Sequence, residues 1–350
     1  MRLLNKLLFI LPLLSVITSC GDTEPETPEI IPPELPVTSF WERQSHLAMM
    51  GWKGNVNTVK ESSYLVSLEV WNKDEEAISS IEWKFDANGH LTYYNPTGIE
   101  PITYIRDVWQ TVACYSYEYD ESGKMVKAIV NHFSGEPVIY TLAYGKHESY
   151  VPLIFPLGAY EFFLVKGLES ISSEDGSISY SFDGNTASYI SESWSGTSTT
   201  TFEYTAESLY PVQKTVTQER GGVITNTEVI SYVYNDDGSL ASTDKIVKEG
   251  ENEVERTVTR FISSSLLLAS RLTDAGGQLD WTYKYNENNW WTEVSYKEDL
   301  GEEIEAKETS TYTQKDAIGN WTEAMQQQNS QVDWSHFDSS VRVNRIISYY

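Results

Sequence analysis

The chain has 350 residues and carries 51 acidic against 25 basic side chains, which gives a formal net charge of −26. A nucleic-acid partner is disfavoured, because proteins bind phosphate backbones through lysine and arginine that displace counterions. The same excess of acid disfavours direct contact with anionic lipid headgroups. The length and the 40% share of hydrophobic residues fit one large all-β unit or two average domains.

The N-terminus has the pattern of an export signal. A positively charged start precedes the apolar run Leu7–Ile17, and Thr18, Ser19 and Cys20 follow. The run is shorter than the roughly 20 residues of a membrane-spanning helix, so a removed signal peptide is the better interpretation. Small residues directly before a cysteine resemble the lipobox of bacterial lipoproteins. The resemblance implies that residues 1–19 are removed and that Cys20 carries the lipid.

Residues 20–38 follow as a segment in which five prolines are mixed with five acidic residues. Such a composition cannot build a core, and it predicts an extended tether whose charges repel each other. The tether would reach roughly 50 Å at about 3.1 Å per residue. The folded part of the protein would then stand clear of the membrane as one domain, residues 39–350.

The start of the tether also bears on location. The acidic stretch Gly21–Glu26 resembles the surface-export signal of lipoproteins in the Bacteroides group. The resemblance implies a lipid anchor in the outer membrane and exposure at the cell surface. A plain periplasmic spacer, and hence a periplasm-facing protein, is the alternative.

Only one segment of the domain has a helical pattern. In Phe40–Met50, the apolar residues Trp41, Leu47 and Met50 stand among polar ones, which predicts a short helix before the sheet. We expect this helix to plug one end of the sheet.

A repeated turn motif organises the rest of the domain. An Asp or Asn is followed by Gly or Asn three residues later and by an apolar residue two positions beyond. The copies are Asp86/Gly89/Leu91, Asp120/Gly123/Met125, Asn235/Gly238/Leu240, Asp274/Gly277/Leu279, Asn286/Asn289/Trp291 and Asp316/Gly319/Trp321. The first side chain caps the turn, and the Gly or Asn accepts the left-handed conformation of a hairpin bulge.

Aromatic residues alternate directly before these turns, which places them on one face of a strand. The pairs are Trp83/Phe85, Tyr117/Tyr119, Tyr232/Tyr234 and Tyr283/Tyr285. The copy at Asp316 departs from the pattern, because Tyr312 lies one place out of phase. A β-bulge at this point would restore the phase.

The units Tyr117–Met125 and Tyr232–Leu240 resemble the YD repeats of the RHS family, and the resemblance runs in degenerate form from Trp83 to Trp321. It implies a long antiparallel β-meander that curls into a shell. Toxin delivery is not implied, because the turn spacing is irregular, the shell-closing motif is missing and few residues follow Trp321. Small Bacteroides-group lipoproteins with degenerate repeats of this kind are the closer resemblance, and their functions are largely unassigned.

A second set of turns closes the other ends of the hairpins: Ser134-Gly135, Ser195-Gly196, Gly221-Gly222, Gly250-Glu251 and Leu300-Gly301. The segments between turns are rich in Val, Ile, Thr and Tyr, and they predict about 14 to 18 strands. Sheets of more than roughly ten strands curl, close or split. We therefore predict an all-β fold, a large antiparallel β-meander that is curled or barrel-like, with a short N-terminal helix.

An outer-membrane barrel is the alternative architecture. Its lipid-facing positions would have to be apolar throughout. Segments Ser193–Glu203 and Glu302–Thr313 instead carry polar residues on both faces, so this alternative is disfavoured.

Motifs of known catalytic chemistry are missing from the sequence: it contains no G-x-S-x-G, H-E-x-x-H, C-x-x-C or phosphate loop. The five histidines are scattered without ligand spacing, so neither a metal site nor a cofactor is expected. Cys114 stands among apolar neighbours and is predicted to be a buried thiol.

The aromatic content is high, with 11 Trp, 23 Tyr and 11 Phe. Cross-strand packing explains the aromatic residues that recur in phase with the turn motif. Trp291 and Trp321 fill the apolar position of this motif. Trp290 breaks the phase and is the tentative ligand-binding residue, because an exposed indole can pack against a sugar ring.

Three functions of different class follow from these features. The first is a non-catalytic cell-envelope lipoprotein that acts as a binding or scaffolding module for a protein or glycan ligand. The second is a glycan-binding accessory protein that uses exposed aromatics. The third is a hydrolase with an unrecognised carboxylate site, which would need clustered carboxylates with shifted pKa values.

Overall fold

The computed structural model describes residue 41 and residues 45–67, 77, 79–98, 113–132, 136–154, 163–174, 176–183, 185–193, 196–206, 208–263, 266–274, 277–299, 303–332 and 335–350. All of them belong to one compact unit, Thr38–Tyr350. The predicted signal peptide, Cys20, the tether and Phe40 lie outside the described residues.

The described residues form one short helix, α1 His46–Met49, and many antiparallel strands. The strands are β1 Val56–Ser67, β2 Ser79–Phe85, β3 Leu91–Gly98, β4 Ala113–Tyr119, β5 Met125–His132, β6 Val138–Tyr144, β7 Tyr150–Pro152, β8 Leu164–Lys166, β9 Leu168–Ser173, β10 Gly176–Ser179, β11 Ser181–Asp183, β12 Thr186–Ser193, β13 Gly196–Glu203, β14 Gln213–Arg220, β15 Val223–Tyr234, β16 Leu240–Glu249, β17 Asn252–Ser263, β18 Leu266–Asp274, β19 Gly277–Tyr285, β20 Trp291–Asp299, β21 Glu303–Lys315, β22 Trp321–Val332 and β23 Ser335–Tyr349. No helical segment among the described residues has the length and apolarity that a membrane-spanning helix requires.

The strand count of the described residues is 23, so the expected 14 to 18 was wrong. The additional strands are short and lie away from the repeat turns. One example is the separate pair formed by β7 and β8. Another is a strand that is interrupted at Tyr180 and therefore counts twice, as β10 and β11.

The remaining 21 described strands form one nearly closed, barrel-like sheet, which confirms the predicted all-β meander. Nearly all its pairings join strands that follow one another in the chain. The exception that closes the ring is β1, which pairs with β2 on one side and with the last strand, β23, on the other. Opposite this seam the chain passes through Tyr180, with β10 paired to β9 and β11 paired to β12.

The two faces of the sheet differ in composition. The inner face carries the predicted aromatic pairs, among which Trp83, Phe85 and Tyr117 are buried. The outer face carries cross-strand ion pairs: Lys60–Glu82, Lys127–Glu118, Arg256–Asp244, Arg271–Asp280 and Lys284–Glu293. Exposed pairs of this kind add little stability, about 0–1 kcal/mol each, but they give the outer face a polar and charged surface.

Five of the six predicted repeat turns share one geometry and lie at the same end of the sheet. In each, the N–H of the fourth residue donates to the carbonyl of the first, for example Gly89 to Asp86 at 3.0 Å and Asn289 to Asn286 at 3.0 Å. Asn289 has a φ of 60° and is the one non-glycine with positive φ in the described part of the chain. The predicted left-handed position is confirmed, even where asparagine replaces glycine.

At the sixth copy, the Asp274 side chain caps the turn as predicted, accepting from Gly277 N–H at 3.1 Å, but its placement with the other repeat turns was wrong. Asp274 pairs directly with Gly277 in a tight hairpin, and this hairpin lies at the opposite end of the sheet. The reason is spacing: one strand, β19, separates Asp274 from the genuine repeat turn at Asn286, and one strand carries the chain from one end of the sheet to the other. The bulge expected before Asp316 is present, since the strand register shifts between Tyr312 and Lys315.

Tyrosines link neighbouring repeat turns to each other. The hydroxyl of Tyr119 donates to the carbonyl of Leu91 at 2.8 Å, and Tyr312 donates to Trp291 at 2.7 Å. Each acceptor is the apolar residue that ends the preceding repeat turn. Burial raises the pKa of Tyr119 well above its usual value and that of Tyr312 to about 12, so both hydroxyls keep the proton that they donate.

The segment before β1, residues 45–55 together with Trp41, forms a plug at the repeat-turn end, as predicted. Leu47 N–H donates to the Gly89 carbonyl at 3.0 Å, and the Trp41 indole donates to the Gly238 carbonyl at 3.0 Å. Further along, Lys53 N–H donates to the Asn320 side chain at 2.9 Å. The plug therefore contacts three separate repeat turns, and Trp41 and Leu47 belong to the main buried core.

A largely buried arginine lies at the seam between β1 and β23. Arg345 donates to Glu61 on the facing strand at 2.6 Å, and 16% of each side chain is exposed. The guanidinium lies 4.4 Å from the Trp52 ring centroid and 3.3 Å from that of Trp321. Burial lowers the pKa of Arg345, and the Glu61 charge opposes this shift. Because the guanidinium contacts both rings and Glu61, one ion pair connects the plug, β1, β22 and β23.

We expect Arg345→Met to destabilise the domain by about 3 kcal/mol, because Glu61 would remain largely buried without its partner. Urea unfolding measures the change. Arg256→Met is the matched control: its pair with Asp244 is exposed, with 49% and 34% of the two side chains accessible, and its loss should cost less than about 1 kcal/mol. Equal effects of the two substitutions would contradict the role given to the seam.

Alanine substitutions at two glycines with left-handed backbone distinguish the conformational cost of an added Cβ from its steric cost. Gly238 has φ +84°, and an added Cβ would collide with the Tyr210 hydroxyl, whereas Gly250 has φ +60° and open space around it. The Tyr210 ring cannot retreat easily, because it stacks on Tyr234 at 5.0 Å. We expect Gly250→Ala to lower the free energy of unfolding by about 1 kcal/mol and Gly238→Ala by about 1–3 kcal/mol more. Chemical denaturation of both variants tests this, and equal losses would refute it.

Candidate functional site

Two of the depressions that the described residues form are considered as ligand sites. The larger, which we call the outer groove, has a volume of about 850 Å³ and lies on the outer face of β17–β21. Its floor is built from small residues on three neighbouring strands, Ala269, Thr282 and Ser295. Its cations are largely paired, Arg271 with Asp280 at 2.6 Å and Lys307 with Glu293 at 2.6 Å, so the groove is polar and close to charge-compensated.

The smaller depression, the inner pocket, has a volume of about 270 Å³ and lies on the inner face of β12–β16. Strand register places two rows of its residues side by side. The first row is Tyr189, Thr200, Val216, Glu228 and Val247. The second row is Ser191, Ser198, Gln218 and Asn226. Lys214, also in the lining, is the adjacent inward-facing residue on β14.

The inner pocket exists because the inner face changes character around the barrel. On β2, β4 and β6 the inward positions carry large apolar or aromatic side chains, which pack into the main core with the plug. On β12–β16 many of the same positions carry Ser, Thr, Gln, Asn, Lys or Glu, which cannot pack into an apolar core at low cost. A polar cavity is the result.

Polar groups of the inner pocket are only partly satisfied within the protein. Lys214 and Glu228 form an ion pair at 3.4 Å, with 27% and 32% of the two side chains exposed. The side-chain oxygen of Asn226 is buried and has no hydrogen-bond partner among the described residues. A buried acceptor without a partner loses its hydration without compensation, and a bound molecule with a hydroxyl group would supply the missing donor.

Trp290, the residue singled out from the sequence, is buried in the described structure. Its ring packs 5.0 Å from that of Tyr312 in a cluster with Trp321, and Lys315 Nζ lies 4.9 Å from its centroid. In this arrangement the indole faces protein and not solvent. Trp321 is buried as expected, and a ligand-binding role for Trp290 stays a prediction.

His46 of the plug and His90 of the first repeat turn are far apart in the sequence but lie together. His46 is buried, its Nδ1 accepts from Leu91 N–H at 2.9 Å, and its ring lies 5.7 Å from that of His90. His90 in turn contacts Asp86 at 2.9 Å. Across the described residues no group of three His, Cys, Asp or Glu side chains is placed to hold a metal ion.

Cys114 is only partly buried, which corrects the expectation of a buried thiol. Its Sγ contacts the Asn95 side chain at 2.8 Å. The apolar neighbours in the sequence alternate with it along β4, so they point to the inner face and Cys114 to the outer one.

Carboxylates with shifted pKa values are held ionised by their partners. Lys284 and Lys307 lower the pKa of Glu293 to about 2, and Arg271 lowers that of Asp280. Backbone and histidine donors in the repeat turn lower the pKa of Asp86 despite its partial burial. These groups act as salt-bridge partners and turn caps.

Residues of the inner pocket were not predicted from the sequence. The signal that was available is a run of polar residues at the inward-facing positions of β12–β15.

His46 gives a pH dependence that can be measured. Burial, with a smaller contribution from His90, lowers its pKa from 6.5 to about 3. The unfolded chain therefore takes up the proton first, and stability that is complete above pH 6.5 falls as the pH is lowered toward 3. We expect a loss of about 1.4 kcal/mol per pH unit well below pH 6.5. Urea unfolding of wild type and His46→Asn between pH 6.5 and 4.5 tests this, and equal slopes would contradict it.

Comparison with known proteins leaves the family open. No family model and no curated protein matches the chain. Among solved structures, the chain is similar to a porin-like protein from Bacteroides uniformis, with 12% identity and a TM-score of 0.37 over 85% of this chain and 99% of that one. It is also similar to a porin-like protein from Bacteroides vulgatus, with 10% identity and a TM-score of 0.29 over 64% of this chain and 98% of that one.

Proposed function

We propose that the chain is a non-catalytic, lipid-anchored protein of the cell envelope whose barrel-like domain acts as a binding or scaffolding module. The inner pocket is the observation that carries the proposal. It is a polar cavity with an unpartnered buried acceptor, Asn226, in a domain whose other half is packed with apolar side chains. Polar side chains that converge on one cavity can orient a bound ligand.

The outer face supports a domain that stands in water. Ion pairs such as Arg256–Asp244, Arg271–Asp280 and Lys284–Glu293 would have to enter the hydrocarbon if this face met lipid. An embedded barrel needs an apolar outer band at these positions. Anchoring through acyl chains on Cys20, with residues 21–38 as the spacer, is compatible with such a surface.

Glycan binding is the second candidate, but through the inner pocket and not through exposed aromatics. The exposed large hydrophobic side chains of the described residues include Phe182 and Tyr350 but no tryptophan. The hydrolase alternative has less support: the described lining of the inner pocket holds one carboxylate, Glu228, where a glycosidase uses two.

The anchor is tested with the two cysteines of the chain. We expect wild type and Cys114→Ala, expressed in a lipoprotein-processing host, to take up labelled palmitate and to fractionate with membranes. Cys20→Ala should remain unlabelled and soluble without detergent. Labelling of Cys20→Ala would refute the anchor, and a need for detergent in this variant would show that the domain itself lies in the membrane.

Binding is tested with the mature protein from Gly21 onward. It is screened on a glycan array and, by cross-linking, against proteins of the envelope, with Trp290→Ala alongside wild type. A specific glycan or protein partner is the expected result. Binding in neither screen would overturn the proposed function.

A further inference from the structure

We propose that the inner pocket binds a single neutral sugar ring, either a free monosaccharide or the end of a glycan chain. The inference rests on the proposed binding function and names its ligand class. Three properties of the pocket carry it: its size, its mixture of donors and acceptors, and the pairing of its charges.

Size limits the ligand first. The pocket volume of about 270 Å³ lies just below the ~300–1,000 Å³ that is typical of clefts for drug-sized molecules. One sugar ring with its hydroxyl groups suits this space, and a peptide or a folded partner does not. The Tyr189 ring is part of the lining and offers an aromatic surface to the C–H face of such a ring.

The lining offers both donors and acceptors. Gln218 and Asn226 can each do both, Thr200 has a hydroxyl that can do either, and all three face the same cavity. Sugar hydroxyls also donate and accept, so they can satisfy such a set in full. The buried Asn226 oxygen specifically needs a donor. An apolar ligand would leave this oxygen without a partner.

Charge pairing favours a neutral ligand. Lys214 and Glu228 compensate each other across 3.4 Å. A single anion or cation would compete with this pair and would leave one of the two charges facing a group of like sign. A zwitterion such as a free amino acid would have to separate the pair. A neutral polyol can instead donate to Glu228 and accept from Lys214 while the pair stays together, and charge-assisted hydrogen bonds of this kind are among the stronger ones.

The position of the pocket agrees with ligand entry from outside. Ser191, Ser198 and Gln218 lie near the hairpins at Gly196 and Gly221, at the end of the sheet opposite the repeat turns. The described residues of the plug make their contacts at the repeat-turn end, and the inner pocket lies toward the other end.

The test is a ligand panel followed by saturation-transfer NMR and calorimetry on the mature protein. Neutral members are glucose, galactose, mannose, xylose and N-acetylglucosamine. Charged members are glucuronate, glucosamine, alanine and glutamine. We expect binding of at least one neutral sugar, observable at about 10 mM even for a millimolar Kd. Binding of charged members alone, or of none, would overturn the inference.

Variants then locate the site. Asn226→Ala should weaken sugar binding at least about tenfold, and Thr200→Val, which keeps the side-chain shape, about threefold to tenfold. Thr201→Val is the matched control, because Thr201 is the next residue on β13 and faces outward; its Kd should be unchanged. Thermal unfolding checks that the variants fold, and Thr200→Val keeps the test decisive if Asn226→Ala does not. Sugar binding that both inner variants retain would place the site elsewhere.

The experiments distinguish failure of the sugar-site proposal from failure of the proposed binding function. A partner found on the glycan array or by cross-linking, together with a negative sugar panel, would leave the binding module standing and remove the inner pocket as its sugar site. Failure of both screens and of the panel would remove both.

Discussion

The ion pair between Arg345 and Glu61 is the constraint on which the closed arrangement of the sheet depends. It joins the last strand to the first, and the guanidinium is enclosed by indoles from the plug, Trp52, and from the last repeat turn, Trp321. A buried ion pair is a weak source of net stability but a strict geometric requirement, because either charge alone would be costly. The seam therefore fixes which strands meet and in which register, while the apolar core supplies the stability.

The repeat turns, together with the hydrogen bonds between them, hold one end of the sheet in place. Each one ends a hairpin at the same end of the sheet, and the hydroxyls of Tyr119 and Tyr312 each connect one repeat turn to the one before it. The plug adds direct hydrogen bonds to three of the turns. One end of the domain is thus held together by short-range motifs, which leaves the inner face of β12–β16 free to be polar without loss of the fold.

The fold was largely predictable because its information is local. A capping Asp or Asn, a left-handed residue such as Asn289 and an alternating aromatic pair each act within a few positions of the chain, and even the bulge before Asp316 followed from phase. Asp274 was misread because the same residue types also form an ordinary tight hairpin, and only the strand count reveals at which end it lies. The inner pocket was not predictable: Thr200, Glu228 and Asn226 converge through register across several strands, which no local pattern encodes.

The pairing of β1 with β23 also governs the order of events while the chain is synthesised. β1 starts at Val56 and its partner strand ends at Tyr349, so this contact has almost the largest sequence separation that the chain allows. Because the ribosome makes the chain from its N-terminus, β1 has one edge unpaired until the last strand has been made. Contacts of such long range form slowly, and unpaired strand edges recruit other chains. Synthesis of this protein therefore includes an interval in which a chaperone that covers an open strand edge has a substrate, and the interval ends only when β23 has been made and has paired with β1.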